Sequence, residues 1–142
     1  MESKLRTVSW VLLAIVGALV LLVSLASAYL AYRGIYPIAG VSIDEIAAGR
    51  ETVLLGLRGV RGTSAAWGAA WAVLFLAVVL GPYRRGDVST WWGILASLIA
   101  LGAVAGARIV SGIQAGTGMP LLLLVVVLIA LLVDVRRLIP SR

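Results

Sequence analysis

The sequence predicts an all-α integral membrane protein, a four-transmembrane-helix bundle with a short interfacial helix in its first outer loop. Composition is the first reason: 62% of the residues are hydrophobic and 13% charged, where soluble domains run near ~45–50% apolar and ~25% charged. The second is placement, because the twelve basic and six acidic residues fall between four apolar stretches or at their ends. The third is length: each stretch is long enough, as a helix rising about 1.5 Å per residue, to approach or exceed a hydrocarbon core of about 30 Å. The expected organisation is one membrane domain over residues 1–142, with spans at about 8–32, 62–83, 88–108 and 119–138 and an outer loop at 33–61.

The first span is charge-free from Thr7 to Tyr32, with Lys4 and Arg6 before it. Trp10 lies near one end and Tyr29, Tyr32 and Tyr36 near the other, where interfacial aromatic belts are expected. Ala26-Ser27-Ala28 resembles a signal-peptide cleavage site, but the apolar run before it exceeds the usual 7–15 residues or so, and the segment is expected to be retained. In the connection that follows, Pro37 and Gly40 break the chain, and Ser42-Ile43-Asp44-Glu45 fits a capping box. The short helix it opens has Ile43, Ile46 and Ala47 for an apolar underside and Gly49 for a stop, as suits an element on a membrane surface.

A helical pattern resumes at Glu51 through Val53, Leu54, Leu57 and Val60 and leads into the second span, which Gly81-Pro82 is expected to end. Tyr83-Arg84-Arg85-Gly86-Asp87 reads as a tight turn. The third span has Trp91 and Trp92 at its near interface and Gly102-Ala103-Val104-Ala105-Gly106 at its far end, a small-residue face that permits close helix approach. After Arg108 comes a glycine-rich connection containing Gly112, Gly116 and Gly118; without GxxxxGK[ST] or a preceding strand it is read as a linker and not a phosphate loop. Pro120 suits the first turn of the fourth span, which runs to Asp134, Arg136 and Arg137.

Orientation follows from the basic residues. With the N-terminus inside, Lys4, Arg6, Arg84, Arg85, Arg136, Arg137 and Arg142 fall in short cytoplasmic segments, and Arg33, Arg50, Arg58, Arg61 and Arg108 fall outside. The expected location is the cell membrane, multi-pass, with both termini cytoplasmic. The net charge of +6 is therefore assigned to membrane orientation and anionic lipid, and no nucleic-acid partner is expected.

Chemistry has little to draw on. With no Cys and no His, a disulfide, a thiolate or imidazole metal site and a Ser–His–Asp arrangement are all excluded within this chain. Asp44 and Glu45 are adjacent, about 100° apart on a helix, and poorly placed for shared acid–base work. Asp134 is the one acid within the last apolar run, and an ion pair with Arg136 or Arg137 is expected in preference to a proton relay.

One constellation stands out. Arg58 and Arg61 are three apart and Trp67 and Trp71 four apart at the start of the second span, and Arg108 reaches the same rim from the third. In one reading these five form an outward pocket for an anionic head group, a carboxylate or a polar ring, with the indoles as its wall. In the other, which is favoured, the arginines pair with Asp44, Glu45 and Glu51 and tie the first loop over the bundle.

The Leu57-Arg58-Gly59-Val60-Arg61-Gly62 start of the second span and the Gly106-Ala107-Arg108-Ile109-Val110-Ser111-Gly112 exit of the third resemble the pattern of the DoxX-like small four-span membrane proteins. The resemblance is one of layout over the whole chain and rests on short motifs. It implies a four-helix bundle and, for some members, an accessory role beside a quinone-linked oxidoreductase; the long first loop has no counterpart in it. The functional expectation is a non-enzymatic accessory or interaction subunit, packing through Gly102 and Gly106 against a membrane-protein partner or a second copy. The alternative is an outer-leaflet binding protein for a lipid, isoprenoid or quinone at Arg58, Arg61, Trp67, Trp71 and Arg108. Membrane lipids are expected partners in both, and no metal or other cofactor is expected.

Overall fold

The computed structural model describes residues 2–112 and 118–138. Apart from one two-residue hairpin they are helical or in turns, so the fold is all-α. The chain divides into two compact units, Gly17–Leu74 and Met1–Val16 with Phe75–Arg142. Helix α1 (Glu2–Tyr32) contributes residues to both, as does α3 (Glu51–Val78). Segments Lys4–Tyr32, Glu51–Tyr83 and Val88–Val110 are long and apolar enough to cross a membrane. The fourth apolar helix, α5 (Gly118–Val133), has 16 residues, roughly 24 Å of helix. It is shorter than the 119–138 span expected, because the chain turns at Asp134 into a 3₁₀ turn at Val135–Leu138.

In the Gly17–Leu74 unit, α1 and α3 approach closely because α3 lines its inner face with Gly62, Ala65, Gly68 and Ala72. A Cβ on Gly62 would lie 2.6 Å from the Tyr32 ring, and one on Gly68 would lie 2.7 Å from Ser24 Oγ. Helix α1 ends as Arg33 N donates to Tyr29 O and Gly34 N to Ala31 O, with Gly34 at φ +77°, the left-handed turn that favours glycine. Strands β1 (Pro37–Ile38) and β2 (Val41–Ser42) then pair antiparallel, Pro37 opposite Ser42 and Ile38 opposite Val41. Between them Ala39 and Gly40 both have positive φ, as a type I′ hairpin turn requires.

The predicted capping box is present: Ser42 caps the one-turn helix α2 (Ile43–Ala47), its Oγ accepting from Glu45 N while the Glu45 carboxylate accepts from Ser42 N. Ile43 N and Asp44 N donate to Tyr36 O and Gly34 O. The N–H groups at the start of this helix are thus satisfied by the loop that precedes it. The stop comes one residue earlier than expected, with Ala48 in the left-handed conformation and Gly49 following. Ile43 and Ala47 are fully covered by the protein itself.

In the other unit, α3 does not stop at Gly81-Pro82 but widens into a π-helical turn, Val79–Tyr83. Pro82 has no N–H for an ordinary i→i−4 bond and its ring crowds the preceding turn; one extra residue in the turn, with Arg84 N reaching Val79 O, accommodates it. The widened turn places Tyr83 wholly inside. Asp87 caps α4 (Val88–Val110), accepting from Ser89 N at 2.9 Å. Helix α5 buries Val127, Ala130 and Leu131, a stripe at helical spacing that Asp134 continues just past its end, and α1 contributes Ser9, Leu13 and Val16.

Polar groups join these helices at one level. Ser9 Oγ donates to Ala130 O at 2.8 Å, so the proton in its 2.7 Å contact with Tyr83 belongs to the tyrosine. Trp91 Nε1 donates to Leu131 O at 3.2 Å. The carbonyls of Ala130 and Leu131 lie in the last turn of α5, where intrahelical donors run out; Ser9 from α1 supplies the first, and Trp91 from α4 joins Asp134 N at the second. Trp91, expected at the interface, is therefore a buried cross-link, while its neighbour Trp92 is exposed and packs edge-on against it at 5.0 Å. The Tyr83–Asp87 turn is held to α1 by Arg6 donating to Arg84 O at 2.7 Å and by the Arg84 guanidinium lying 4.8 Å from the centre of the Trp10 ring.

Candidate functional site

The polar cap of the Gly17–Leu74 unit contains the constellation singled out in the sequence. Arg58 and Arg61 lie on the buried side of α3, in line with Gly62 and Ala65, and both are half-buried. Arg58 Nη2 pairs with Asp44 Oδ1 at 3.1 Å. The pair lies directly over Gly34, where a Cβ would meet Asp44 Oδ1 at 2.0 Å and Arg58 Nη2 at 2.6 Å. A glycine is required there twice over, for its φ of +77° and for the space the ion pair fills.

Arg61 has a different partner. Its Nη2 donates to the Tyr36 hydroxyl, and its guanidinium carbon lies 4.1 Å from the centre of the Tyr36 ring. Tyr36 had been read as part of the aromatic belt. The two residues are 25 apart in sequence, and only the hairpin and the α2 cap bring them together, so no local pattern announces the pairing. The Nε groups of both arginines are buried with no acceptor.

The acidic residues expected to neutralise this cluster do so only in part. Asp44 pairs with Arg58. The Glu45 carboxylate faces Ser42, accepting from its backbone N–H and its hydroxyl, each at 3.0 Å. Those bonds, the backbone one foremost, hold its pKa below the usual carboxylate value. Glu51 sits exposed in the first turn of α3, where it faces the positive end of the helix dipole. Among the described residues of this unit, Asp44 is the one carboxylate within ion-pair distance of an arginine.

The indoles part from the arginines. Trp67 is 73% exposed, on the side of α3 facing away from Arg58 and Arg61, while Trp71 is half-buried. Arg108 lies in the last turn of α4 and belongs to the other unit, as do Gly102 and Gly106. The three glycines of α4 share one property: among the described residues, nothing lies within 4 Å of a Cβ built on Gly93, Gly102 or Gly106. Residues 113–117 of the glycine-rich connection, and the side chains of Arg136 and Arg137 expected to pair with Asp134, lie outside the described residues. Asp134 itself is buried. In comparisons with known proteins, no family model matches the chain, and neither a curated protein nor a solved structure is significantly similar to it.

Proposed function

We propose that the chain is a non-enzymatic membrane protein that works as an accessory or interaction subunit, offering the small-residue face of α4 to a transmembrane helix of a membrane-protein partner. The contrast between two sets of glycines carries this reading. Gly62 and Gly68 are filled by Tyr32 and Ser24, so the chain uses them to pack its own helices. Gly102 and Gly106, four apart on one face of α4, have open space among the described residues where a side chain would go, and Gly93 with the exposed Ala96, Ala100, Ala103 and Ala107 follows another face of the same helix. Small residues drive helix association in lipid by letting backbones approach closely. A largely apolar helix with an open Gly102/Gly106 face is suited to a second helix.

The rest of the proposal follows the same lines. Helix α5 is the fourth span, its 3₁₀ turn completing the crossing, and both termini are cytoplasmic by the distribution of basic residues. Helix α2, with Asp44 and Glu45 exposed and Ile43 and Ala47 covered, lies at the outer interface as a cap. Apart from its long first loop, this layout resembles that of the DoxX-like proteins, and an accessory role beside a quinone-linked enzyme is the form of interaction the resemblance suggests.

The test is substitution of Gly102 and Gly106 by leucine in tagged protein taken from its own membranes in mild detergent. Since no described residue occupies the space and leucine is a better helix former than glycine, thermal stability should be kept or slightly raised. The native-gel complex of the wild-type protein should be lost. A complex that survives both substitutions, or a wild-type protein that migrates as a bare monomer, overturns the reading. Recovery of a second copy instead of a different protein would identify the partner helix as the chain's own.

A further inference from the structure

We propose that Arg61, Tyr36 and Arg58 form a binding site for a phosphate group, that of an anionic phospholipid head group, at the polar end of the Gly17–Leu74 unit. This goes beyond the interaction role and rests on different residues.

The argument begins with charge. Arg58 is neutralised by Asp44 at 3.1 Å, while Glu45 is engaged by Ser42 and Glu51, exposed, has no ion-pair partner among the described residues. Arg61 is left with a phenol hydroxyl and an aromatic face, both neutral. A half-buried guanidinium with no counter-ion at the start of a charge-free apolar segment is costly unless an anion from outside supplies the missing charge.

Hydrogen bonding adds a second, independent count. Neither Arg58 Nε nor Arg61 Nε has an acceptor, and native proteins leave few buried donors in that state. The Tyr36 hydroxyl accepts from Arg61, so its own proton remains to be donated. The cluster therefore holds an excess of donors and one excess positive charge, with two guanidinium planes one turn apart on α3. Guanidinium forks match the oxygens of a phosphate in geometry as well as in charge.

Depth selects the source. Gly62, next to Arg61, opens the charge-free run to Tyr83, so the site lies where polar chain meets hydrocarbon, the level at which lipid phosphates concentrate. The exposed rings of Tyr29 and Tyr32 on the same unit give the acyl chains an apolar surface.

The experiment uses the full chain in mild detergent and reads both the shift in thermal midpoint and the adduct mass in native mass spectrometry. Dihexanoyl-phosphatidylglycerol is titrated against dihexanoylglycerol, which has the same chains without the phosphate, and against inorganic phosphate. Saturable binding of the phospholipid and none of the neutral lipid is expected, with affinity falling at least about tenfold in Arg61→Gln and by less in Arg61→Lys, which keeps the charge but loses the fork. Tyr36→Phe, which keeps the ring beneath Arg61, should weaken binding several-fold and serves if Arg61→Gln fails to fold. Phosphate competing at millimolar concentration would support the phosphate chemistry while assigning the site to the free ion. Equal retention of the neutral lipid, or unchanged binding in both Arg61→Gln and Tyr36→Phe, overturns the proposal. Because none of these residues lies on α4, failure here leaves the Gly102 and Gly106 test untouched.

Discussion

Replacing Ser9 by alanine removes one hydroxyl from a helix that contains 31 residues, yet it should be among the costlier changes this protein can suffer. Ser9 is fully buried, donates to Ala130 O and accepts from Tyr83. Alanine leaves the Ala130 carbonyl without its donor in the last turn of α5, and takes from the Tyr83 hydroxyl its Ser9 acceptor. A buried polar group left unsatisfied costs about 1–3 kcal/mol, and interhelical hydrogen bonds in membrane proteins fall toward the low end of that range. Two such losses give about 2–3 kcal/mol for Ser9→Ala. Tyr83→Phe leaves the Ser9–Ala130 bond in place and should cost about 1 kcal/mol, although it also removes an oxygen from the core. In the Tyr83→Phe background the serine substitution disturbs only the carbonyl, so the double variant should cost less than the sum, with a coupling of about 1 kcal/mol. Thermal and denaturant unfolding in mild detergent, followed by circular dichroism, measures all four proteins of the cycle. If Tyr83→Phe proves the more damaging substitution, or the two effects add, the hydroxyl network is not what ties α1 to the end of α5.

Two further predictions concern the polar cap. Gly34→Ala should lose about 1–2 kcal/mol from the left-handed backbone alone and more because its methyl displaces the Asp44–Arg58 pair, whereas Gly40→Ala, with φ +87° and open space around it, should show only the backbone part; equal effects in unfolding experiments would mean that the ion pair moves aside freely. Since Ser42 holds the Glu45 carboxylate below its ordinary value of 4.5, the cap contributes stability above the unfolded-state pKa, and that contribution is lost as pH falls through the lower folded-state value. A carboxylate NMR titration should find the depressed value in the wild type and its return to the ordinary range in Ser42→Ala; no change between the two would refute the role assigned to the cap.

Arg58 and Arg61 could be placed on one face of a helix from their spacing, and at about 100° per residue the same reasoning puts Trp67 roughly 240° around from Arg61. The separation of that indole from the arginines was therefore present in the numbering. The Ser42–Glu45 cap, the Asp87 cap of α4 and the apolar helices were legible for a similar reason: each depends on residues within a turn of one another or on the hydropathy of one continuous segment. Even the asymmetry of basic residues that orients the proposed topology is a property of the chain read in order.

What tertiary structure decided lies in pairs far apart in sequence. Tyr36 meets Arg61, Asp44 takes Arg58 from Glu51, Ser9 reaches Tyr83 and Ala130, and Trp91 turns inward to Leu131. Which of three carboxylates an arginine selects depends on where a hairpin and a one-turn helix deliver them. Which glycines are filled and which stay open depends on which helices become neighbours, since Gly62 and Gly102 are alike in composition and differ only in what packs against them. A membrane chain signals its apolar segments by local hydropathy, but in lipid every helix face is apolar, and only packing and a few buried hydrogen bonds distinguish one face from another.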